Sequence, residues 1–414
     1  MKDPIFKRLL ELHPKFSDLS LTRINKLLKK LNFNEKKLPQ VIHIAGTNGK
    51  GSTASILKSI LNEHGKTTHV YSTPHLVRFN ERVQLYSKDI SDNLLLKYLY
   101  HCEKVNQKKL ITYFEITTAA ALMAFQDHPA DFLILEVGLG GRFDATNIIR
   151  GKKYSLITPI SMDHQDYLGN SLSKIAFEKL SIFNNKSINF INYQKPTVKR
   201  FAKDFINKKK MYAQFAGVDW KIRNQLYIDQ DHKINLKYLS LKGYHQFDNA
   251  GLAIAAVKGI LKKQFDSNLV ENALPKIRWA GRLQKIESGK LTKVIHKYDS
   301  IFLDGFHNTD GVKVFINNLK GKNNFLICSF LINKNYKSIL KLLEPYFKKI
   351  FVTPMEEENS IQVVNVNKTN KINTSSGLLK SIDDLNRVAT SNSTIYFGGS
   401  LYFIGEVLKF NKKK

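Results

Sequence analysis

Apolar residues in this chain fall into short continuous runs, separated by longer segments in which they recur every three or four positions. The runs at 41–45, 69–72, 132–137 and 155–160 are rich in apolar residues without strict alternation, the pattern of strands buried on both faces. Helical spacing marks 20–31, 52–64, 91–104, 115–127 and 172–183; in the second of these Ile56, Leu57, Ile60 and Leu61 share one face and Gly65 supplies the stop. Alternation of such strands and helices predicts a mainly parallel sheet covered on both faces. The pattern changes over 188–242, where short β-type runs such as 225–229 and 234–241 lie between polar turns and predict a small antiparallel sheet. An alanine-rich helix is expected over 248–263. After Trp279-Ala280-Gly281-Arg282 a second alternating series begins, with strands at 300–304, 324–328, 349–353 and 394–397 and helices near 311–319, 337–346, 375–388 and 401–408. The chain reads as α/β throughout, with residues 1–282 in one domain and 283–414 in a smaller doubly wound one.

Composition narrows the class. A hydrophobic content of 43% is ordinary for a globular protein, and 414 residues suffice for two or three separate cores. No apolar run approaches the roughly 20 residues that span a bilayer, and the N-terminus lacks a signal-type apolar stretch. Two distant cysteines, Cys102 and Cys328, suit a reducing cytoplasm rather than a disulfide framework. A cytoplasmic location without a membrane partner is expected. The net charge of +30 has two readings, a nucleic-acid surface or a lysine-rich solvated background. The lysines are scattered rather than striped, which favours the background and predicts no nucleic-acid partner, while the field still draws in polyanionic substrates. No oligomerisation element stands out, so a monomer is expected.

Chemistry concentrates at the ends of the predicted strands. Directly after the run 41–45 stands Gly46-Thr47-Asn48-Gly49-Lys50-Gly51-Ser52-Thr53. Glycines let the backbone curl so that N–H groups face phosphate oxygens, the lysine adds a mobile positive charge, and the following helix points its dipole at the same anion. Strand, loop and helix stand in the order a nucleoside-triphosphate site requires; the competing reading is a plain glycine turn. Gly51 occupies the place where a Ser or Thr normally binds Mg²⁺, so the metal must find oxygen ligands elsewhere. Glu136-Val137-Gly138-Leu139-Gly140-Gly141-Arg142-Phe143-Asp144-Ala145-Thr146-Asn147 follows another apolar strand. A carboxylate at a strand end beside a phosphate loop is placed to hold Mg²⁺, against the alternative of a helix-capping acid. His164, after the next strand in Asp163-His164-Gln165-Asp166, is a metal ligand or a helix-entry residue.

These segments resemble the folylpolyglutamate synthase/dihydrofolate synthase family, bacterial bifunctional type, of the Mur ligase superfamily. The resemblance rests on His43-Ile44-Ala45-Gly46-Thr47-Asn48-Gly49-Lys50-Gly51-Ser52, on Thr73-Pro74-His75-Leu76 with Phe79-Asn80-Glu81-Arg82, on the acidic glycine segment and on Asp163-His164. It continues in Gly243-Tyr244-His245-Gln246-Phe247-Asp248-Asn249-Ala250, Gly281-Arg282-Leu283, Asp304-Gly305-Phe306-His307-Asn308 and Gly398-Gly399-Ser400-Leu401-Tyr402. It implies a P-loop ATPase-like N-terminal domain, with a mainly parallel sheet and a small antiparallel one, and a C-terminal Rossmann-like domain. It also implies ATP-dependent ligation of L-glutamate to dihydropteroate, to reduced folates, or to both, through an acyl phosphate. A muramyl-peptide ligase and a P-loop nucleic-acid-binding ATPase are the alternatives.

Carried over by position, Thr47, Asn48, Gly49, Lys50, Gly51, Ser52 and Thr53 hold the ATP phosphates, and Asn249, Arg282 and Asp304 make further ATP contacts. Thr73 (usually serine) and Glu136 bind a first Mg²⁺; His164 binds a second, with Lys179 matching the lysine such enzymes carbamylate. Lys50, Glu136, His164, Lys179 and Arg282 form the implied catalytic set. His307 and Ser400 match the glutamate side, with turn and capping roles as the alternatives; Arg82, Phe114 and Asp144 are candidates for the acceptor, although core packing explains the phenylalanine equally well. Departures from the family pattern are Leu180 and Ser181 after the special lysine, Phe306 in place of a common alanine, and Asn333-Lys334-Asn335 where acids often flank a lysine.

Overall fold

Strand Gln40–Ala45 lies inside an eight-stranded sheet, and its side chains from Val41 onward are buried. In the computed structural model, which describes residues 3–13, 20–296 and 298–412, the order across this sheet is Lys88–Asp89, Val83–Leu85, Thr68–Tyr71, Phe132–Glu136, Gln40–Ala45, Tyr154–Ile157, Ile188–Ile191 and Ala213–Phe215. The six strands from Thr68–Tyr71 onward pair in parallel; the first two add an antiparallel edge. Helices cover both faces. Thr22–Lys30, Asp92–Asn106 and Tyr113–Asp127 build one apolar cluster with Leu133 and Leu135, whereas Leu172–Leu180 and Pro196–Lys208 build another with Ile157 and Ile191. Helix Tyr113–Asp127 starts where Thr112 and Glu115 form a reciprocal capping box, satisfying two otherwise orphaned donors.

The region 188–242 corrects the sequence expectation. Ile188–Ile191 and Ala213–Phe215 extend the large parallel sheet, with helix Pro196–Lys208 between them. Only Lys221–Arg223, Leu226–Ile228 and Lys233–Asn235 form the antiparallel sheet. The helix is cloaked in lysines, yet Val198, Ala202 and Ile206 recur at four-residue spacing on its buried face. The strands are too short for periodicity to reveal them, and Asn189 breaks the apolar run; its amide donates to Tyr212 O at 2.8 Å. Helix His245–Leu261 begins three residues before its expected start, and Gly251 lets it approach the small sheet, where a Cβ would stand 2.8 Å from Ile222.

Two compact units divide the chain. The first holds the residues up to Pro74, Arg78–Ser240 and Gln246–Ile277; the second holds His75–Val77, Leu241–His245 and the chain from Arg278 onward. Arg282 thus lies in the second unit. That unit is built on a six-stranded sheet ordered Gln284–Ile286, Ser300–Asp304, Thr394–Gly398, Asn324–Cys328, Lys349–Val352 and Ile372–Thr374. Its first strand is antiparallel and the rest are parallel; the two outer strands are three residues each and escape sequence patterning. Among the described residues no helix is long and apolar enough to cross a membrane.

The segment His75–Val77 lies against helix Leu401–Lys412, where Gly405 leaves no space between the helix and the Leu76 carbonyl. A Cβ at 405 would overlap that backbone oxygen, which no rotamer change relieves. Gly405→Ala is therefore expected to destabilise the second unit by about 1–3 kcal/mol, read as a lowered denaturation midpoint with an unchanged slope.

Candidate functional site

The glycine loop is anchored on the neighbouring strand's exit. Thr47 and Asn48 N–H both donate to Pro159 O, at 3.0 and 3.2 Å. The Thr47 hydroxyl donates to Ser161 O and accepts from Ser161 N. Gln194 clamps this anchor, accepting from Ile160 N at 2.9 Å and donating to Thr158 O at 3.1 Å. The amides of Thr47 and Asn48 are thus spent on the loop. Lys50, Gly51 and Ser52, opening helix Lys50–Glu63, carry the first-turn amides that a helix leaves without intrahelical partners. Gly46 sits against Thr158, and Gly49 has a φ of +90°. A Cβ at 49 would stand 2.5 Å from Asn249 Oδ1, so the loop and Asn249 are neighbours. Ser52 and Thr53 are buried in the helix, and the Thr53 hydroxyl has no hydrogen-bond partner among the described residues.

Strand register brings the acid to this loop. Ile44 pairs with Glu136, which is 3% exposed. Glu136 Oε1 is 4.0 Å from Lys50 Nζ, and Oε2 accepts from Thr73 N at 3.3 Å. Lys50 also reaches the carbonyls of Gly46 and Thr47, at 3.3 and 3.4 Å. Lys50, Thr73 and Glu136 therefore converge. Gly141 continues the approach on the other side: a Cβ there would meet Glu178 O at 2.5 Å and Lys179 Cα at 3.0 Å. Lys179, 5% exposed, is held on helix Leu172–Leu180 beside the glycine turn. His164 adopts a left-handed conformation at the entry of helix Gln165–Leu168, with Nε2 3.8 Å from Asp163. Among the described residues, the one group of three or more His, Cys, Asp or Glu ligand atoms within 4.8 Å of one another is Asp229, Asp231 and His232, where Lys258 already bridges both carboxylates at 3.0 and 2.5 Å.

The acceptor candidates form an aromatic wall and a buried knot. Phe114 packs on Gly138, with its ring edge 2.5 Å from where a Cβ would stand, and lies 6.3 Å from the Tyr71 ring. Arg82 is buried with its guanidinium 5.0 Å from the Phe79 ring. Asp144 accepts from Leu139 N at 2.8 Å with one oxygen and from Thr146 N and Oγ1, at 3.0 and 2.5 Å, with the other. Burial raises its pKa, while those donors oppose the rise.

In the second unit, Asp304 closes strand Ser300–Asp304 opposite Gly398 and accepts from Leu283 N and Phe306 N, at 2.8 and 2.9 Å. Burial raises its pKa and the Arg282 charge opposes this. Arg282 donates to Gly305 O at 3.4 Å, the same carbonyl that His307 Nδ1 meets at 3.0 Å. Arg282, Asp304 and His307 are thus brought together. Ser400 is buried and its hydroxyl accepts from Tyr402 N at 3.2 Å, a cap for helix Leu401–Lys412. The departures are absorbed locally. Phe306 turns into the core, 3% exposed, over Gly398 and 4.6 Å from Phe315. Leu180 is fully buried, and Asn335 caps its helix through Ser338 N.

Sequence reasoning missed His43, Gln246 and Asp248. Gln246 accepts from Asn249 Nδ2 at 3.0 Å and so orients the residue beside Gly49. Burial pushes Asp248, in the same helix turn, up to about 6. The available signal for His43 was an imidazole inside an otherwise apolar strand.

The Mur ligase middle domain matches residues 44–257. The dihydrofolate synthase/folylpolyglutamate synthase of Haemophilus influenzae is 33% identical over 350 residues, which are 80% of this chain and 78% of that protein. The Bacillus subtilis enzyme of the same name is 29% identical over 423 residues, 94% of each chain. The solved structure of Escherichia coli FolC in complex with DHPP and ADP superposes with a TM-score of 0.85 at 25% identity, over 99% of this chain and 97% of that one.

Asp248 yields a pH prediction. Its carboxyl binds a proton more tightly in the folded chain, so stability falls as pH rises from 3.8 through about 6. Asp248→Asn is expected to stabilise the protein at pH 8, by up to about 3 kcal/mol, and to lose that gain below pH 4, as measured by urea denaturation at both pH values.

Proposed function

Since the chain belongs to the dihydrofolate synthase/folylpolyglutamate synthase family of the Mur ligases, we propose that it joins L-glutamate to dihydropteroate and to the γ-carboxylate of reduced folates, with ATP as the activating substrate. The observation that carries this reading is the convergence of Lys50, Thr73 and Glu136 beside a phosphate-type loop. The chain is an ATP-dependent acid–amino-acid ligase. The same reading has it working in the cytoplasm as a monomer on small molecules, without nucleic acid.

A carboxylate resists amine attack because its leaving group would be oxide. In the proposed sequence an acceptor carboxylate oxygen attacks the γ-phosphorus of ATP, the bond to ADP breaks, and an acyl phosphate results. The glutamate amine, having lost its proton, attacks the acyl carbon, and phosphate leaves as the amide forms. Such transfers depend on alignment and charge neutralisation more than on covalent help from the protein. Lys50 and the amides of the following turn neutralise the transferred phosphoryl group. Asn249 and Gln246 support the nucleotide beside the loop. In the second unit Arg282 adds positive charge for the phosphates, Asp304 takes the nucleoside, and His307 and Ser400 take glutamate. Phe114 and Arg82 receive the acceptor, with Asp144 shaping the turn beneath them.

Bound Mg²⁺ supplies further neutralisation of the phosphate oxygens. The residues fit it: Glu136 offers hard carboxylate oxygens with Thr73 already drawn against it, and carbamylation of the buried Lys179 amine would replace an ammonium by an oxygen donor near the glycine turn. His164 completes that set.

Phosphate release from ATP and Mg²⁺ with and without L-glutamate tests the function, offering dihydropteroate and tetrahydrofolate separately and weighing the products. Glutamate-dependent release, with each acceptor gaining one glutamyl residue, is expected. Glutamate-independent release, or no turnover by folded protein that binds ADP, overturns the proposal. Lys50→Ala should lower kcat by about 10²–10³-fold. Gly49→Ala, which forces a Cβ toward Asn249 at a left-handed φ, should weaken ADP binding at least about tenfold in titration calorimetry.

A further inference from the structure

We infer that His43 is a positioning residue, which acts through Thr146 and Asp144 to fix the glycine-rich turn following Glu136. His43 is fully buried in strand Gln40–Ala45, three residues before Gly46. Its Nε2 lies 2.9 Å from Thr146 Oγ1. Thr146 Oγ1 lies 2.5 Å from Asp144 Oδ1, and Asp144 Oδ2 accepts from Leu139 N at 2.8 Å. The chain of contacts thus runs from the strand that launches the phosphate loop to the middle of the turn.

Proton counting gives this chain one direction. Asp144 accepts backbone N–H groups on both oxygens, from Thr146 N and Leu139 N, and the single hydroxyl proton of Thr146 goes to it as well. The Thr146 oxygen must then accept from His43, and the imidazole must carry its proton on Nε2. Nδ1 is left as a buried lone pair, with no hydrogen-bond partner among the described residues. A second proton would have to sit on Nδ1 with no acceptor. Burial, and then the Lys152 charge, hold the imidazole well below its ordinary pKa, consistent with that single state. Lys152 is itself tied to Asn147 Oδ1 at 2.5 Å, and Asn147 Nδ2 donates to Arg142 O at 2.9 Å, so the far end of the same segment is closed as well.

A histidine serving only as core filler needs no such direction. The turn it fixes presents Gly138 to the Phe114 ring and Gly141 to the backbone of Lys179. Slackening the chain should therefore loosen the wall proposed for the acceptor while leaving the phosphate-loop anchor at Pro159 intact. This consequence rests on the acceptor role proposed above; the hydrogen-bond chain does not.

The test has two arms. Nitrogen-15 NMR of the histidine-labelled full chain should show His43 as the neutral Nε2–H tautomer, unchanged across the pH range in which ordinary histidines titrate. An Nδ1–H tautomer, or titration in that range, overturns the inference. In kinetics, Thr146→Val should raise the KM for the acceptor about tenfold, the equivalent of one buried hydrogen bond, with the KM for ATP unmoved. Thr146→Ser, which keeps the hydroxyl and guards against a failure of the valine variant to fold, should restore the wild-type acceptor KM. Equal shifts for all substrates, no shift at all, or an acceptor KM in the serine variant as high as in the valine variant overturns the positioning role. Wild-type protein that turns over neither acceptor sinks the proposed function instead, and the NMR arm still decides the His43 chain.

Discussion

The parallel register that sets Ile44 against Glu136 is the constraint on which the first unit's chemistry depends. It carries the carboxylate to within 4.0 Å of Lys50, although 86 positions separate the two residues in the chain. The opposite neighbour, Tyr154–Ile157, delivers Pro159 and Ser161, whose backbone groups grip Thr47 and Asn48. A one-residue slip of either pairing would turn buried side chains to the wrong face and part the groups that meet at the strand ends. Apolar packing on both faces of the sheet therefore stabilises the site as much as it stabilises the fold, because it holds the register.

Much of this was legible in the sequence because it is local. A glycine loop between an apolar run and an amphipathic segment announces strand, turn and helix in order, and Glu136 closes a second strongly apolar run. What was not legible is cooperative. Asn189 looks like a strand breaker until Tyr212 O, on the approach to the adjacent strand, accepts its amide. Lysines on Pro196–Lys208 obscure a buried stripe that exists only against Leu172–Leu180 and its surroundings. Three-residue edge strands carry too few positions to show a period, and are defined by their partners.

The same distinction governs the site residues. Lys50, Glu136 and Thr73 sit in recognisable segments, and their convergence follows from topology. Asp144 also sits in such a segment, yet its carboxylate is occupied by Leu139 and Thr146, so it shapes the turn from beneath. Residue type suggested contact with a ligand; in the structure both of its oxygens accept from donors of the turn itself. Phe306 is a parallel case in the second unit. A bulky ring in place of a common small residue could have crowded a pocket, but Gly398 leaves room for it to turn inward among other aromatic rings.

Residues His75–Val77 belong to the second unit although their sequence neighbours belong to the first. Leu76 packs on Gly405, more than three hundred positions later in the chain. During synthesis this tripeptide leaves the ribosome well before the helix that receives it. The first unit's sheet has all its strands before that helix is made, so the tripeptide stays undocked until after the sheet is complete. The second unit is accordingly not separable by a single cut in the gene, since a fragment beginning at Arg278 would lack the piece of backbone against which its final helix is shaped.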